Sequence, residues 1–452
     1  MSFAQTTTET RTILLRPRPL ARNPGSFTLL PLLPLRPPPK VLPSEIWSHV
    51  LSFVVQDDDV ELERLEVEDR RRVLRWRWKM LFVCKTWLDD VRPLLYASVH
   101  IFTLSSLDKF VTQLHHSEQH WDSIRRIPYS TPGRWVQAID VSEVRSTIPA
   151  AANSIDRLLT TLFPLLPFLE NLTLSRELTL SKSATRSLRH KDGTERLRTL
   201  KGLRVSPHIP EFSLGTPSVD DPTIELLQRC EQLQQLEVSN DVVVGPDQQT
   251  DLDPDDLLSA FPTAPALNLP RLQFLFIHVL YPSSVLSALL NTPLPALRHL
   301  MITPFDDGPN PALADFLSVH GAHLSTLHLA TPKHWPITVQ PRTLNVLRHC
   351  PHLKHLSIDY PLPTLILPPG MNHPLQVLTI PRPNTRFLQE LERLLPRLAG
   401  LSVVRARNVR WLKSGMSGKA LEAGVQGEMR DWRKRLARRG VRLVDGDWKD
   451  PL

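Results

Sequence analysis

One short phrase, apolar-x-x-apolar-x-apolar, recurs ten times between residues 136 and 403, and it limits the fold more than anything else in the chain. The copies are Val136/Ile139/Val141, Leu169/Leu172/Leu174, Leu200/Leu203/Val205, Leu233/Leu236/Val238, Leu272/Leu275/Ile277, Leu297/Leu300/Ile302, Leu324/Leu327/Leu329, Leu353/Leu356/Ile358, Leu375/Leu378/Ile380 and Leu398/Leu401/Val403. The closing x-apolar-x-apolar alternates with period two, which predicts a short strand with one buried face. Between copies the period lengthens to that of a helix, as in Ile155, Leu158, Leu159 and Leu162, or Phe387, Leu388, Leu391, Leu394 and Leu395. Proline marks the joins. It stands two residues before the first apolar position at Pro167, Pro270, Pro295, Pro351 and Pro396, where it ends the preceding helix, and after strands at Pro207, Pro304 and Pro381.

A strand-turn-helix unit of this kind buries its apolar faces only by stacking on its neighbours. The prediction is therefore an α/β solenoid over residues 130–415, with a parallel sheet along its concave side. The pattern resembles the leucine-rich repeat family. It departs from that family in its spacing, about 22 to 39 residues between starts, and in lacking the Asn or Cys that follows each strand. An irregular array is expected, with segments such as Lys182 to Glu195 and Asn240 to Pro254 protruding from it. Residues 416–452 are expected to close it. Leu421, Met429, Trp432 and Leu436 share one side of a helix, and Val441 to Val444 then reads as a strand. The Arg433 to Arg435 cluster is read as the solvated face of that helix, in preference to a nuclear-localisation or nucleic-acid patch.

Before the array come a Pro- and Arg-rich stretch, residues 1–40, read as a disordered tail, and a helical segment, residues 41–100. Leu42-Pro43-Ser44-Glu45-Ile46 opens a helix with Pro in its first turn and an acid at the positive end of the dipole. Ile46, Val50, Phe53 and Val54 follow at helical spacing, then Leu74, Trp78, Leu81 and Phe82, then Trp87, Leu88, Val91, Leu94 and Leu95. Three short helices this apolar must pack on one another and on a partner.

Four blocks of this segment, Leu42-Pro43-x-Glu45-Ile46, Val50-Leu51-Ser52-Phe53, Val83-Cys84-Lys85-Thr86-Trp87 and Pro93-Leu94-Leu95-Tyr96, resemble the F-box. The resemblance implies a three-helix module that docks on a Skp-type adaptor and, through it, on cullin and RING subunits. Leu42, Pro43, Ile46, Val50, Leu51, Val83, Cys84 and Trp87 would face the adaptor. It also implies that the repeat domain holds a protein target for ubiquitination. One departure is a charged insertion, residues 56–77, longer than the family's connection, with Asp57 to Asp59 and Arg70 to Arg72 read as a solvated loop or a helix extension.

The chain carries no P-loop, Gly-x-Gly-x-x-Gly, Gly-x-Ser-x-Gly or His-Glu-x-x-His motif. The expectation is a non-enzyme without catalytic residues, cofactor or metal. Three distant cysteines, Cys84, Cys230 and Cys350, suit a reduced cytoplasmic or nuclear setting, and Cys84 is read as a buried, inert thiol. No run approaches the roughly 18 apolar residues of a membrane span. The net charge of +8 sits at the two ends: six basic and one acidic residue over 1–41, twelve and three over 401–443. Nucleic acid is accordingly a poor expectation. The rival reading is a non-catalytic repeat scaffold outside ubiquitin transfer, nuclear by its basic ends.

The repeat also predicts where side chains point. If the last two apolar residues of each phrase face the core, then Phe274, Phe276, His299, Met301, His328 and His355 line adjacent strands on the concave side. They are the candidate target-binding patch, since aromatics grouped on an open sheet call for a covering partner. By the same rule Arg204 is the one Arg or Lys on that side.

Overall fold

The computed structural model describes residues 43–56, 65–119, 131–145, 149–205, 221–240, 265–279, 283–303, 312–331, 343–411 and 425–450. Leu42, Asp57 to Asp59, the segment from 241 to 254 and Leu421 lie outside them.

Three helices come first: α1 (Ser44–Gln56), α2 (Val67–Lys79) and α3 (Lys85–Ala97). Leu51, Val55, Met80, Val91 and Leu95 form a small core between them, with Trp47, Leu81, Trp87 and Leu94 against it. The part of the charged insertion from Val67 onward is the helix α2, in which Glu68 pairs with Arg71 at 2.8 Å and Asp69 with Arg72 at 3.0 Å, each one turn apart. α3 ends at Ala97 and β1 (Ser98–His100) begins at the next residue, so no linker separates the helical module from the sheet.

Eleven more strands follow β1 in one parallel sheet: β2 (Ala138–Asp140), β3 (Asn171–Thr173), β4 (Thr199–Arg204), β5 (Gln235–Asn240), β6 (Phe274–Val279), β7 (His299–Ile302), β8 (Thr326–Leu329), β10 (His355–Ile358), β12 (Val377–Ile380), β13 (Val403–Ala406) and β14 (Arg442–Val444). They stack in chain order. Two short strands, β9 (Thr343–Leu344) and β11 (Thr364–Leu365), form a separate parallel pair that the phrase does not predict. The helices α4 (Leu104–Gln119), α5 (Pro149–Leu162), α6 (Lys182–His190), α7 (Pro222–Arg229), α8 (Ser284–Leu290), α9 (Ala312–His320), α10 (Val346–His349) and α11 (Thr385–Leu394) connect most of the strands, while β10 passes to β12 without one. Helix α12 (Val425–Ala437) precedes β14 and buries Met429, Trp432 and Leu436.

Register shows why this stack holds. One row of apolar residues crosses all twelve strands without a break: Val99, Ile139, Leu172, Leu200, Leu236, Leu275, Leu300, Leu327, Leu356, Leu378, Val404 and Leu443. All but Val99 are buried, and emptying one leucine to alanine would cost about 2–5 kcal/mol. This is a leucine-rich solenoid built on its own ladder.

Two phrases fall in a different frame from the one their spacing suggests. At β4 the row passes through Leu200, so the first apolar position is Leu197 rather than Leu200; Leu203 then pairs with Val238 after a bulge. Gly202 carries that bulge at φ 73°, with the space of a Cβ taken by the carbonyl oxygen of Leu174. At β13 the row passes through Val404, so the frame is Leu401/Val404/Ala406 rather than Leu398/Leu401/Val403. In both places three apolar residues follow at intervals of three, and only pairing with the neighbouring strands selects the frame.

Two other expectations are corrected. Lys182 to His190 does not protrude: it is α6, held by Ala184, Thr185 and Leu188 in the core. Cys84 is not buried, since it lies exposed at the start of α3, while Cys230 and Cys350 are the buried thiols.

Just beyond α6, Lys191 is only 4 % exposed. Burial pulls its ammonium pKa down to about 8 from 10.5, against the opposing pull of Glu195. The unfolded chain therefore binds a proton that the fold gives up between about pH 8 and 10.5, and stability rises with pH across that window. The ammonium reaches the carbonyls of Leu166, Asp192 and Gly193 only at 3.4 Å, and those of Leu166 and Gly193 already accept from Leu169 and Arg196. Lys191→Met is expected to leave the protein at least as stable at pH 7 and to flatten the rise, worth roughly 3 kcal/mol, that urea melts of the wild type show from pH 8 to 10.5.

Candidate protein-recognition surfaces

On the helical module, α1 carries two apolar stripes. Trp47, Leu51 and Val55 turn inward, and Ile46, Val50, Phe53 and Val54 turn to solvent. Of the residues expected to face an adaptor, Pro43, Ile46, Val50, Val83 and Cys84 are exposed. Trp87 is half-buried, its ring tilted against Trp47 at 5.8 Å. Leu51 is placed inside the module's own core at 2 % exposure, since the i+4 spacing from Trp47 to Leu51 to Val55 commits it to the packed side. The structure adds Phe53 and Phe82, the latter 86 % exposed. An apolar stripe left open over two turns of helix is unusual for a surface without a partner.

On the sheet, the six residues of the expected patch do come together. Register aligns two ranks across β6, β7, β8 and β10: Phe274, His299, Thr326 and His355 in one, Phe276, Met301, His328 and Ser357 in the other. Alternation with the buried row turns all six toward the concave side, where each is half-exposed. Phe274 and His299 stack face to face, centroids 4.4 Å apart and 5° from parallel. Burial under that ring lowers the His299 pKa.

Beyond the histidines the corrected frame of β13 adds two arginines. Arg405 lies between the buried Val404 and Ala406, so it faces the concave side beside Thr379. Its guanidinium covers the ring of Trp448 at 4.6 Å and donates to the carbonyl of Gly446. Arg407, just past the strand, reaches back across β12 to Asp359 and His328. His328 Nε2 thus sits between two partners, 3.0 Å from an Arg407 nitrogen and 3.4 Å from Asp359 Oδ1. His355 Nε2 meets Thr379 Oγ1 at 2.9 Å. Burial depresses its pKa first, and the charges of Arg405, His328 and His299 add to that. Arg204 faces the same side and donates to the Glu177 carbonyl at 3.3 Å. Arg204 is thus not alone there, because Lys201 and Arg405 share the face.

The remaining concave surface, toward the N terminus, is ionic. Glu237, 8 % exposed on β5, accepts from Arg176 Nε at 2.7 Å. The face thus runs from paired charges through an aromatic centre to a histidine-arginine end. Neither the arginines nor Asp359 could be found by the spacing rule, because the rule takes the wrong frame at β13 and says nothing of residues just past a strand.

No protein-family model matches this chain, and no curated protein sequence does. Among solved structures it is similar to a Bacteroides fragilis protein, at 12 % identity over 66 % of this chain and 73 % of that one with a TM-score of 0.28. It is also similar to an internalin from Listeria monocytogenes, at 12 % identity over 68 % and 84 % with a TM-score of 0.25. The fold assignment rests on the ladder and its buried row.

Asp359 offers a direct check of the arginine end. Burial opposes its charge, but hydrogen bonding from His328 and the Arg407 charge outweigh burial and hold its pKa below the usual carboxylate range. A depressed carboxylate contributes stability that is present near neutrality and lost as pH falls through its folded pKa. Arg407→Leu is expected to lower the unfolding free energy by about 1–3 kcal/mol at pH 7, with variant and wild type converging in acid. A difference that persists unchanged at low pH would show that the arginine acts by packing alone.

Proposed function

We propose that this chain is the substrate-recognition adaptor of an SCF-type cullin-RING ubiquitin ligase, its helical module docking on the Skp-type adaptor and its concave sheet holding the protein to be ubiquitinated. The observation that carries the first half is the open apolar stripe of Ile46, Val50 and Phe53 on α1, with Phe82 and Val83 also exposed, on the segment whose four blocks resemble the F-box. A stripe of that kind fits the apolar core of a protein interface, where aromatic and aliphatic anchors are desolvated and carry most of the binding energy. Support for the second half is the aromatic centre of the sheet, Phe274, Phe276 and Met301, set between rims that can hydrogen-bond.

In this reading the chain contributes no catalytic group. Holding target and ligase on one frame raises the local concentration of a target lysine near the ubiquitin-carrying enzyme. The charged helix α2 is compatible with docking, since Arg71 and Arg72 are paired within their own helix.

The test is retention of a purified Skp-type adaptor by the full chain and by an Ile46→Asp/Val50→Asp/Val83→Asp variant. All three positions are exposed, so the variant is expected to melt as the wild type does while losing at least a hundredfold in affinity. A folded wild type that does not retain the adaptor would turn the assignment toward a repeat scaffold outside ubiquitin transfer.

A further inference from the structure

Helix α2 reaches the first strands of the sheet through Arg70, 3.7 Å from Asp140 at the end of β2, and through Arg71, whose guanidinium covers the ring of Phe102, just past β1, at 4.9 Å. The seam between helix and strand is not filled. A partly open cavity of about 330 Å³ remains, lined by the end of α1, α2, the end of α3, β1 and α4. Its volume falls at the small end of ligand-binding cavities, roughly 300–1,000 Å³.

The lining has two parts. Most of it is apolar or aromatic, with Val55, Leu74, Val99, Phe102 and Phe110 among the walls. The charged lining has one sign: Arg71, Arg75 and Arg77 of α2 line the cavity together with His100, whose Nδ1 lies 3.3 Å from Asp140 Oδ2, and no Asp or Glu is among the lining residues themselves. Arg71 also donates to Glu68 at 2.8 Å, Arg77 is buried in the module, and Arg75 is open to solvent, the guanidinium best placed to receive an anion. Positive charge concentrated against an apolar wall attracts an anion more strongly than it would in water, and guanidinium matches a carboxylate in geometry as well as charge.

We propose that this cavity is a binding site for a small amphipathic carboxylate, its apolar body between Leu74, Val99 and Phe110 and its head on the α2 arginines. The site is distinct from both recognition surfaces and independent of whether the module docks on an adaptor. Because its walls come from the helical module on one side and the first repeat on the other, an occupant joins the two.

The experiment is calorimetric titration of the full chain with decanoate and with decan-1-ol, both below the concentrations at which they aggregate, alongside thermal melts. The expected result is one decanoate per chain, bound at least tenfold tighter than the alcohol and raising Tm. Arg75→Gln should remove most of that tenfold difference and leave the alcohol unchanged, while Leu74→Trp, which fills the cavity, should abolish binding of both. No binding of decanoate, equal affinity for acid and alcohol, or binding that survives Leu74→Trp overturns the proposal. Arg75 is exposed, so Arg75→Gln decides the matter if Leu74→Trp fails to fold: undiminished decanoate affinity in it also overturns the proposal.

Discussion

A strand of three to six residues with leucine on one face has no stable existence alone, and the whole molecule depends on that fact. Each repeat buries its row of the ladder only because the next repeat is present. The requirement passes from strand to strand until it reaches the two ends, where something other than a repeat must meet it. At the C-terminal end α12 lays Met429, Trp432 and Leu436 on the core, and the short strand β14 ends the ladder. At the N-terminal end the work falls to the helical module. α3 runs into β1 without a break, Tyr96 at its end packs on Phe110 and Trp135, and Arg70 of α2 pairs with Asp140 at the end of β2. One segment thus serves both as the candidate docking element and as the cap of the solenoid.

That arrangement has a consequence for function. With parallel strands about 4.8 Å apart, the aromatic centre of the concave face lies some 25–35 Å along the sheet from β1, which follows α3 directly. A target seated there would be presented at a fixed position relative to whatever binds the module. The gradation of the concave face, from paired ions through aromatic side chains to histidine and arginine, gives such a target an orientation as well as a place.

Much of this was legible in the sequence because the core row is written with period two inside each phrase. Where the phrase stands alone, as at Leu275/Ile277 or Leu300/Ile302, the residues between the buried pair could be placed on the concave side from spacing alone, which brought Phe276, Met301 and His328 together correctly. Where leucines recur every third residue, at Leu197, Leu200 and Leu203 or at Leu398, Leu401 and Val404, two frames satisfy the pattern equally. Only the hydrogen-bonded neighbour decides between them, which is tertiary information. The cost was Arg405, a concave residue that spacing hides. β1 carries a single buried-side residue, Val99, and so leaves no periodic trace. In the module the inward and outward stripes of α1 are both apolar, so sequence could not say that Leu51 belongs to one and Phe53 to the other. Contacts beyond a strand's end, such as Arg407 with Asp359, follow no local rule.

The central claim is that the helical module is part of the stack and not an appendage, and a truncation tests it most directly. Hydrogen exchange would be measured, strand by strand, on a chain beginning at Ser98 and on the full chain. Removal of the module should strip protection from β1, β2 and β3 and leave β12, β13 and β14 as they are, because each repeat is held by its neighbours. A truncated chain in which β1 to β3 keep full protection and the Tm is unchanged would contradict the account, and would make the module an independent domain.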